Sequence, residues 1–386
     1  MTKKKKIGII TYWESYDNYG QQLQCWALQQ YLRSLGHDVF LIRQYICPPA
    51  KKNGFKRLKQ FLKDVLADIL YFTNIAYCHT ASEYFSFCLD KEACRRQFPK
   101  FRKVNLKMSR VYDTPDKLKK NPPRADIYIT GSDQVWNFSM PEESLRNFFL
   151  QFGDDNIKRI SYAASVGHAD FPNEYKETIR KYLTKFSAIS VREKMSVNTI
   201  TKLGYSVEHV LDPTMLLKPE NYMQLIKNEI KDESIYIYSM NYASKDDIPF
   251  EEIKQYAKEE RLPIIVTPGS GYLPTKELFD GVEYSYATIS QWIQHIATSK
   301  LVVTASFHGV VFAILFHRPF IYTPLQGKYA SGNIRVLDLL EKLSLENRIW
   351  TNDVSINDFT HIDWQNVDKN LDVLRRKSID YLKINL

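Results

Sequence analysis

Residues 301–322, LVVTASFHGVVFAILFHRPFIY, decide how this chain is read. The first part, 301–305, is a continuous β-branched run, as in a central parallel strand buried on both faces. The second part, 309–317, is apolar all round, as in a helix enclosed between a sheet and its neighbours. Ser306-Phe307-His308-Gly309 then forms the βα turn at a strand's carboxyl end, where open α/β sheets bind ligands. The following helix aims unpaired backbone N–H groups and its positive dipole end at that turn, which suits an anion. Ser306 and Gly309 frame the turn, and Gly309 permits close approach of the backbone to a ligand. A histidine inside either apolar run reads as a core residue. At the junction, His308 reads as part of a site.

Working outward, two more junctions share this form. In AISVREK (188–194) a strand ends in Arg192, whose guanidinium can hold a carboxylate or phosphate in bidentate fashion. In ADIYITGSDQVW (125–136) a strand ends in Gly131 and Ser132, followed by the polar side chains of Asp133 and Gln134. A capped helix start shares that last pattern, so it carries weight only beside the others.

The rest of the chain keeps a β/α rhythm. IGIITY, the turn ESYDNYG, a helix and HDVFLI form a βαβ opening. That helix places Leu23, Ala27, Tyr31 and Leu35 on one stripe and stops at Gly36. RISYAASVG, SIYIYSM and LPIIVTP supply further strands, with a helix near 288–299. The expected architecture is α/β, with two Rossmann-like parallel-sheet domains over 1–217 and 218–345 and a cleft between them. A helical tail over 346–386 follows. Residues about 50–122 read as a basic, mostly helical insertion in the first domain. Within it, 55–72 is amphipathic: a helix packed on the core with a solvated basic side is the expectation, and peripheral contact with an anionic membrane is the alternative.

Composition sets the outer limits. The chain has 386 residues, 44% hydrophobic, enough for two cores, and a net charge of +9 that favours an anionic partner. The basic residues are dispersed and match no nucleic-acid module, so no nucleic-acid partner is expected. Five cysteines form no CxxC pair, which points to reduced thiols and to no metal. No run of eighteen apolar residues occurs, and MTKKKK passes directly into a strand; a cytoplasmic location is expected.

Seven segments together resemble the bacterial polysaccharide pyruvyl transferase family: DNYGQQLQCWALQQYL, ITGSDQVWN, ISYAASVG, ISVREKMSV, VLDPTMLL, ASFHGVVFAILFHRPF and GNIRVLDLLEKLSLENRI. GSDQVWN together with SFHG is the specific element. The resemblance implies a GT-B-like fold with the active site between two domains. It implies transfer of the enolpyruvyl unit of phosphoenolpyruvate onto two hydroxyls of a sugar, giving a pyruvate ketal and phosphate, without a cofactor. The sugar would belong to a capsule or exopolysaccharide or its precursor, and nucleotide-linked, lipid-linked and polymeric acceptors all remain open. By the same resemblance Arg192 and Lys328 bind the donor, His308 is the acid/base and Asp133 an acceptor-side base; Arg335 is a further candidate for substrate binding. Ala305, Asn333-Ile334-Arg335 and His317-Arg318 depart from the family's usual residues, which bears on acceptor choice. The rival readings are a GT-B glycosyltransferase using a nucleotide sugar and a non-catalytic glycan-binding relative.

Overall fold

The structure is a computed structural model, and it describes residues 3–13, 18–45, 96–138, 140–226, 233–269 and 277–386. The amphipathic stretch 55–72, together with Cys47, Cys78, Cys88 and Cys94, lies outside the described residues.

Two five-stranded sheets, parallel throughout, organise the chain. The first contains β1 (Lys6–Ile10), β2 (Asp38–Gln44), β3 (Met108–Tyr112), β4 (Ile127–Thr130) and β5 (Lys158–Ser161), in the order β3-β2-β1-β4-β5. Beyond β5, the parallel pair β6 (Ser190–Val191) and β7 (Glu208–His209) continues this sheet through bridges from Ile160 to Ala188 and from Ala164 to Val191. The second sheet contains β8 (Ile235–Ser239), β9 (Ile264–Pro268), β10 (Glu283–Tyr284), β11 (Leu301–Thr304) and β12 (Phe320–Tyr322), ordered β10-β9-β8-β11-β12. Both sheets therefore run outward from their first strand in two directions. Strand order reverses between β1 and β4 and again between β8 and β11, and such switch points open a crevice at the strands' carboxyl ends. The central strands β4 and β11 are wholly buried, as their continuous apolar runs require.

Helix α1 (Tyr19–Ser34) follows β1. It starts earlier than the expected turn allowed, because the Asn18 side chain accepts a hydrogen bond from Gln21 N at 3.1 Å and caps it. Gly20 is thus a helical residue. Gly36, at φ +91°, ends the element as read from sequence. Helix α2 (Ile289–Thr298) precedes β11, and α3 (Phe307–Leu315) follows it. Tyr19 stacks on Trp292 of α2 at 5.3 Å, and its hydroxyl donates to Ala287 O at 2.6 Å. One continuous apolar cluster runs from Ile9 and Leu23 to Val310 and Phe312, so the two sheets share a core.

One expectation changes. Residues 108–112, inside the segment expected to be a helical insertion, form β3, an edge strand paired with β2. Its sequence, MSRVY, is largely half-buried or exposed and lacks the apolar run that marks central strands. The helical end is present as expected. After α4 (Asn333–Leu343) come short 3₁₀ turns, then α5 (Trp364–Asn385), which packs back on the first sheet. There Tyr381 Oη donates to Ser161 O at 2.8 Å, Arg375 Nε donates to Met215 O at 2.8 Å, and Ser378 Oγ accepts from Leu211 N at 2.9 Å. Among the described residues no helix is long and apolar enough to cross a membrane.

Candidate active site

The carboxyl ends of the two sheets meet at a buried cluster of charge. Three of its members come from the first sheet. Asp133 lies in the turn after β4 with its backbone left-handed at φ +73°, a conformation that aspartate tolerates better than most residues. Arg192 follows β6, and its carbonyl faces His209 Nε2 at 2.8 Å. Asp212 follows β7 and caps the 3₁₀ turn Pro213–Met215. The second sheet contributes His308, in the first turn of α3, and Arg335, in the first turn of α4. Asn333 fixes the start of α4. Its Oδ1 accepts from Tyr322 Oη at 2.8 Å and Leu325 N at 2.9 Å, while its Nδ2 donates to Leu325 O.

Arg192 donates from Nη1 to Asp212 Oδ2 at 2.9 Å and from Nη2 to Asp133 Oδ1 at 3.2 Å. Arg335 Nη1 reaches the same Asp133 oxygen at 3.7 Å, and His308 Nε2 lies 3.7 Å from Asp212 Oδ2. The Phe307 ring lies beneath both guanidinium groups, 4.9 Å from Arg192 Cζ and 6.0 Å from Arg335 Cζ. Arg192, Asp133, Asp212 and His308 are all buried, and Arg335 is partly so.

Burial sets the charge states against one another. By itself it would raise the Asp133 carboxyl, yet Arg192, Arg335 and His308 outweigh it and hold Asp133 below the usual carboxylate range. Asp212 is likewise held low, with His308 and Arg192 overcoming its desolvation. Burial would lower Arg192, but the surrounding carboxylates keep it firmly cationic. Arg335 has less compensation, and burial together with Arg192 pushes it down.

One feature of the cluster points to a ligand. Arg192 Nε, Arg335 Nε and His308 Nε2 are buried nitrogens with no hydrogen-bond partner among the described residues. Buried polar atoms are nearly always paired, so three exceptions within one charged cluster are suited to acceptor oxygens supplied from outside.

Asp133, Arg192, His308 and Arg335 are thus brought together from the residues singled out in the sequence. Ser306 and Gly309 build the turn itself: Ser306 Oγ accepts from Gly309 N at 3.3 Å. The missing side chain of Gly309 makes room for Thr304, since a Cβ would lie 2.7 Å from its Cγ2. Gln134 points elsewhere, accepting from Asn137 Nδ2 at 3.4 Å and packing near Gly167. The backbone of Lys328 lies in the 3₁₀ helix Gly327–Gly332 just before α4, and its side chain lies outside the described residues.

Sequence reasoning misses two members. Asp212 is visible there only as an acid before a proline, and its role depends on three other strand ends. Gly20 packs directly on the imidazole, where a Cβ would lie 2.0 Å from His308 Nδ1. Its signal, a glycine in the first turn of a helix, is indistinguishable in the sequence from a chain turn. Among the described residues, no group of three His, Cys, Asp or Glu side chains is placed to hold a metal ion.

The profile of the polysaccharide pyruvyl transferase family matches residues 18–324. A comparison with curated proteins gave no match. Among solved structures, an alpha-glucosyltransferase in complex with UDP-glucose and DNA containing an abasic site aligns at a TM-score of 0.48 and 9% identity. The alignment covers 99% of this chain and 96% of that one. The UDP-GlcNAc 2-epimerase from Methanocaldococcus jannaschii aligns at a TM-score of 0.43 and 11% identity, over 96% and 92% of the two chains.

Proposed function

The chain belongs to the polysaccharide pyruvyl transferase family, and from that premise we propose that it moves the enolpyruvyl unit of phosphoenolpyruvate onto a sugar of a polysaccharide or its precursor. The observation that carries this reading is the buried charge cluster that joins Arg192, Asp133 and Asp212 of the first sheet's end to His308 and Arg335 of the second, with unpaired nitrogens on Arg192, Arg335 and His308. The donor is a small polyanion with a carbon to be protonated. It calls for two cations, one acid and one base, and these four groups are present.

In this mechanism Arg192 and Arg335 hold the donor's carboxylate or phosphate. Lys328, on the turn leading into α4, adds a further cation, as the family resemblance implies. The first-turn amides of Phe307 and His308 are those left to an anion, because Gly309 N already donates to Ser306. His308 delivers a proton to the methylene carbon, making C2 an oxocarbenium-like electrophile that a sugar hydroxyl attacks. The C2–O bond to phosphate then breaks with its electron pair, and a second hydroxyl closes the ketal. Two hydroxyl protons are released overall; one replaces the proton given to the methyl group and the other leaves with phosphate.

Asp133 has a double part in this scheme. Between Arg192 and Arg335 it is a weak base, held low by both. A donor anion that takes the guanidinium groups frees Asp133 and returns its basicity at the moment a hydroxyl must be deprotonated.

The test is incubation with phosphoenolpyruvate and lipid-linked oligosaccharides, following phosphate release and the mass of the acceptor. Phosphate release matched by an added pyruvyl unit is the expected result. Consumption of a nucleotide sugar, with phosphoenolpyruvate untouched, would establish the glycosyltransferase alternative instead.

A further inference from the structure

We infer that Asp212 is a positioning residue for this reaction: one carboxylate holds the donor-binding fork of Arg192 and faces the acid His308. The inference rests on the function proposed above for those two groups. Its basis is the way the two oxygens of Asp212 divide their work. Oδ1 is committed to its own turn, accepting from Thr214 N at 3.0 Å and Thr214 Oγ1 at 2.7 Å. The proline that follows, Pro213, fixes that turn. Oδ2 is thereby aimed at the cleft, where it accepts from Arg192 Nη1 at 2.9 Å and Ser132 Oγ at 3.2 Å and lies 3.7 Å from His308 Nε2. A carboxylate tied down on one side and presented on the other cannot follow the arginine or the histidine; they are set by it.

The surrounding charges say why an anion is needed there. Arg192 and Arg335 bring two positive charges to the cluster, and Asp133 and Asp212 bring two negative ones. Glu193 faces Arg192 Nε at 3.8 Å, and Ser196 donates to its other oxygen. Burial pushes Cys25, Tyr162 and Tyr222 upward, so these neighbours remain neutral and add no charge. Without Asp212 the imidazole would face two guanidinium groups and a single carboxylate that the donor displaces. Asp212 is the anion that stays.

Asp212→Asn in the full chain tests this. The imidazole resonance of His308, identified by its loss in His308→Gln, is titrated in wild type and variant without any substrate. Its midpoint is expected to fall by about one pH unit or more in Asp212→Asn, the usual effect of removing an opposite charge at this range. The alkaline limb of turnover on phosphoenolpyruvate is expected to move the same way, with KM raised, and Asp212→Glu to restore part of both. An unmoved midpoint overturns the inference. A moved midpoint in a protein whose wild type releases no phosphate from phosphoenolpyruvate overturns the proposed function alone. Should Asp212→Asn not fold, Thr214→Val keeps the charge and removes one of the two hydrogen bonds that hold Oδ1. A severalfold rise in KM is expected, and unchanged kinetics would overturn the positioning role.

Discussion

The two sheets share one strand order, yet their carboxyl ends are equipped differently. The first sheet ends in Asp133, Arg192 and Asp212, a network in which each carboxylate already has a guanidinium. The second ends in His308 and Arg335, whose carboxylate partners Asp212 and Asp133 belong to the first sheet; their Nε2 and Nε, like Arg192 Nε, are buried and unpaired among the described residues. One end is nearly self-sufficient and the other is not. The topology says where a ligand can sit, and the side chains at each strand end decide what it can be. Neither end is a site by itself, because Asp133 needs Arg335 and His308 needs Asp212 across the cleft.

The strongest way to break this contrast is to remove the imidazole at the end of the second sheet, the acid of the proposed mechanism. His308→Gln is expected to lower turnover by about 10² to 10⁴, the usual contribution of a positioned acid, with donor affinity kept within a few fold. Melting temperature and donor affinity measured on the same preparation separate this from loss of a core histidine.

His295, the other buried histidine of the second sheet, sharpens the contrast because it lies away from the cluster. It stacks on Tyr236 and shares a contact with Ser285, and burial pushes it down from 6.5 to about 4. The unfolded chain therefore takes up a proton that the folded chain refuses between those values. Stability is expected to fall by about 3 kcal/mol as pH drops from about 6.5 to 4, and His295→Gln to flatten that slope in denaturation measured against pH. A variant with the wild-type slope would remove His295 as the cause.

The join between the sheets is tested by Gly20→Ala. Its Cβ would collide with the His308 ring, so turnover is expected to fall by about 10² while the helix it belongs to tolerates alanine well. A turnover equal to wild type would mean that the imidazole has room to move.

Arg192→Lys probes the self-sufficient end. A point charge cannot replace the fork between two carboxylates, and KM for phosphoenolpyruvate should rise at least about tenfold. An unchanged KM in the folded variant takes Arg192 out of donor binding. The smallest effect is expected at Gly36, where φ is +91° and a Cβ would meet nothing within 4 Å. Gly36→Ala should cost about 1 kcal/mol in thermal unfolding and leave turnover alone.

Periodicity makes much of this legible in the sequence. The apolar runs before Asp133, Arg192 and His308 locate three strand ends, because a strand buried on both faces must be apolar throughout. The same argument is blind where burial is partial. Edge strands β3 and β10 carry half-exposed sequences, and β3 passes for part of a helical segment for that reason.

By itself, then, the sequence determined two parallel α/β units, the strand ends that carry polar residues, and the family to which they belong. Only the tertiary structure decided that Asp212 joins Arg192 to His308, that Gly20 makes room for the imidazole, and that the last helix returns to the first sheet. The physical reason is the range of the information. An apolar pattern reports how each residue meets its own surroundings, buried or exposed. It does not report which distant residue supplies the opposite charge, and at this site every decisive contact joins separate strands or helices.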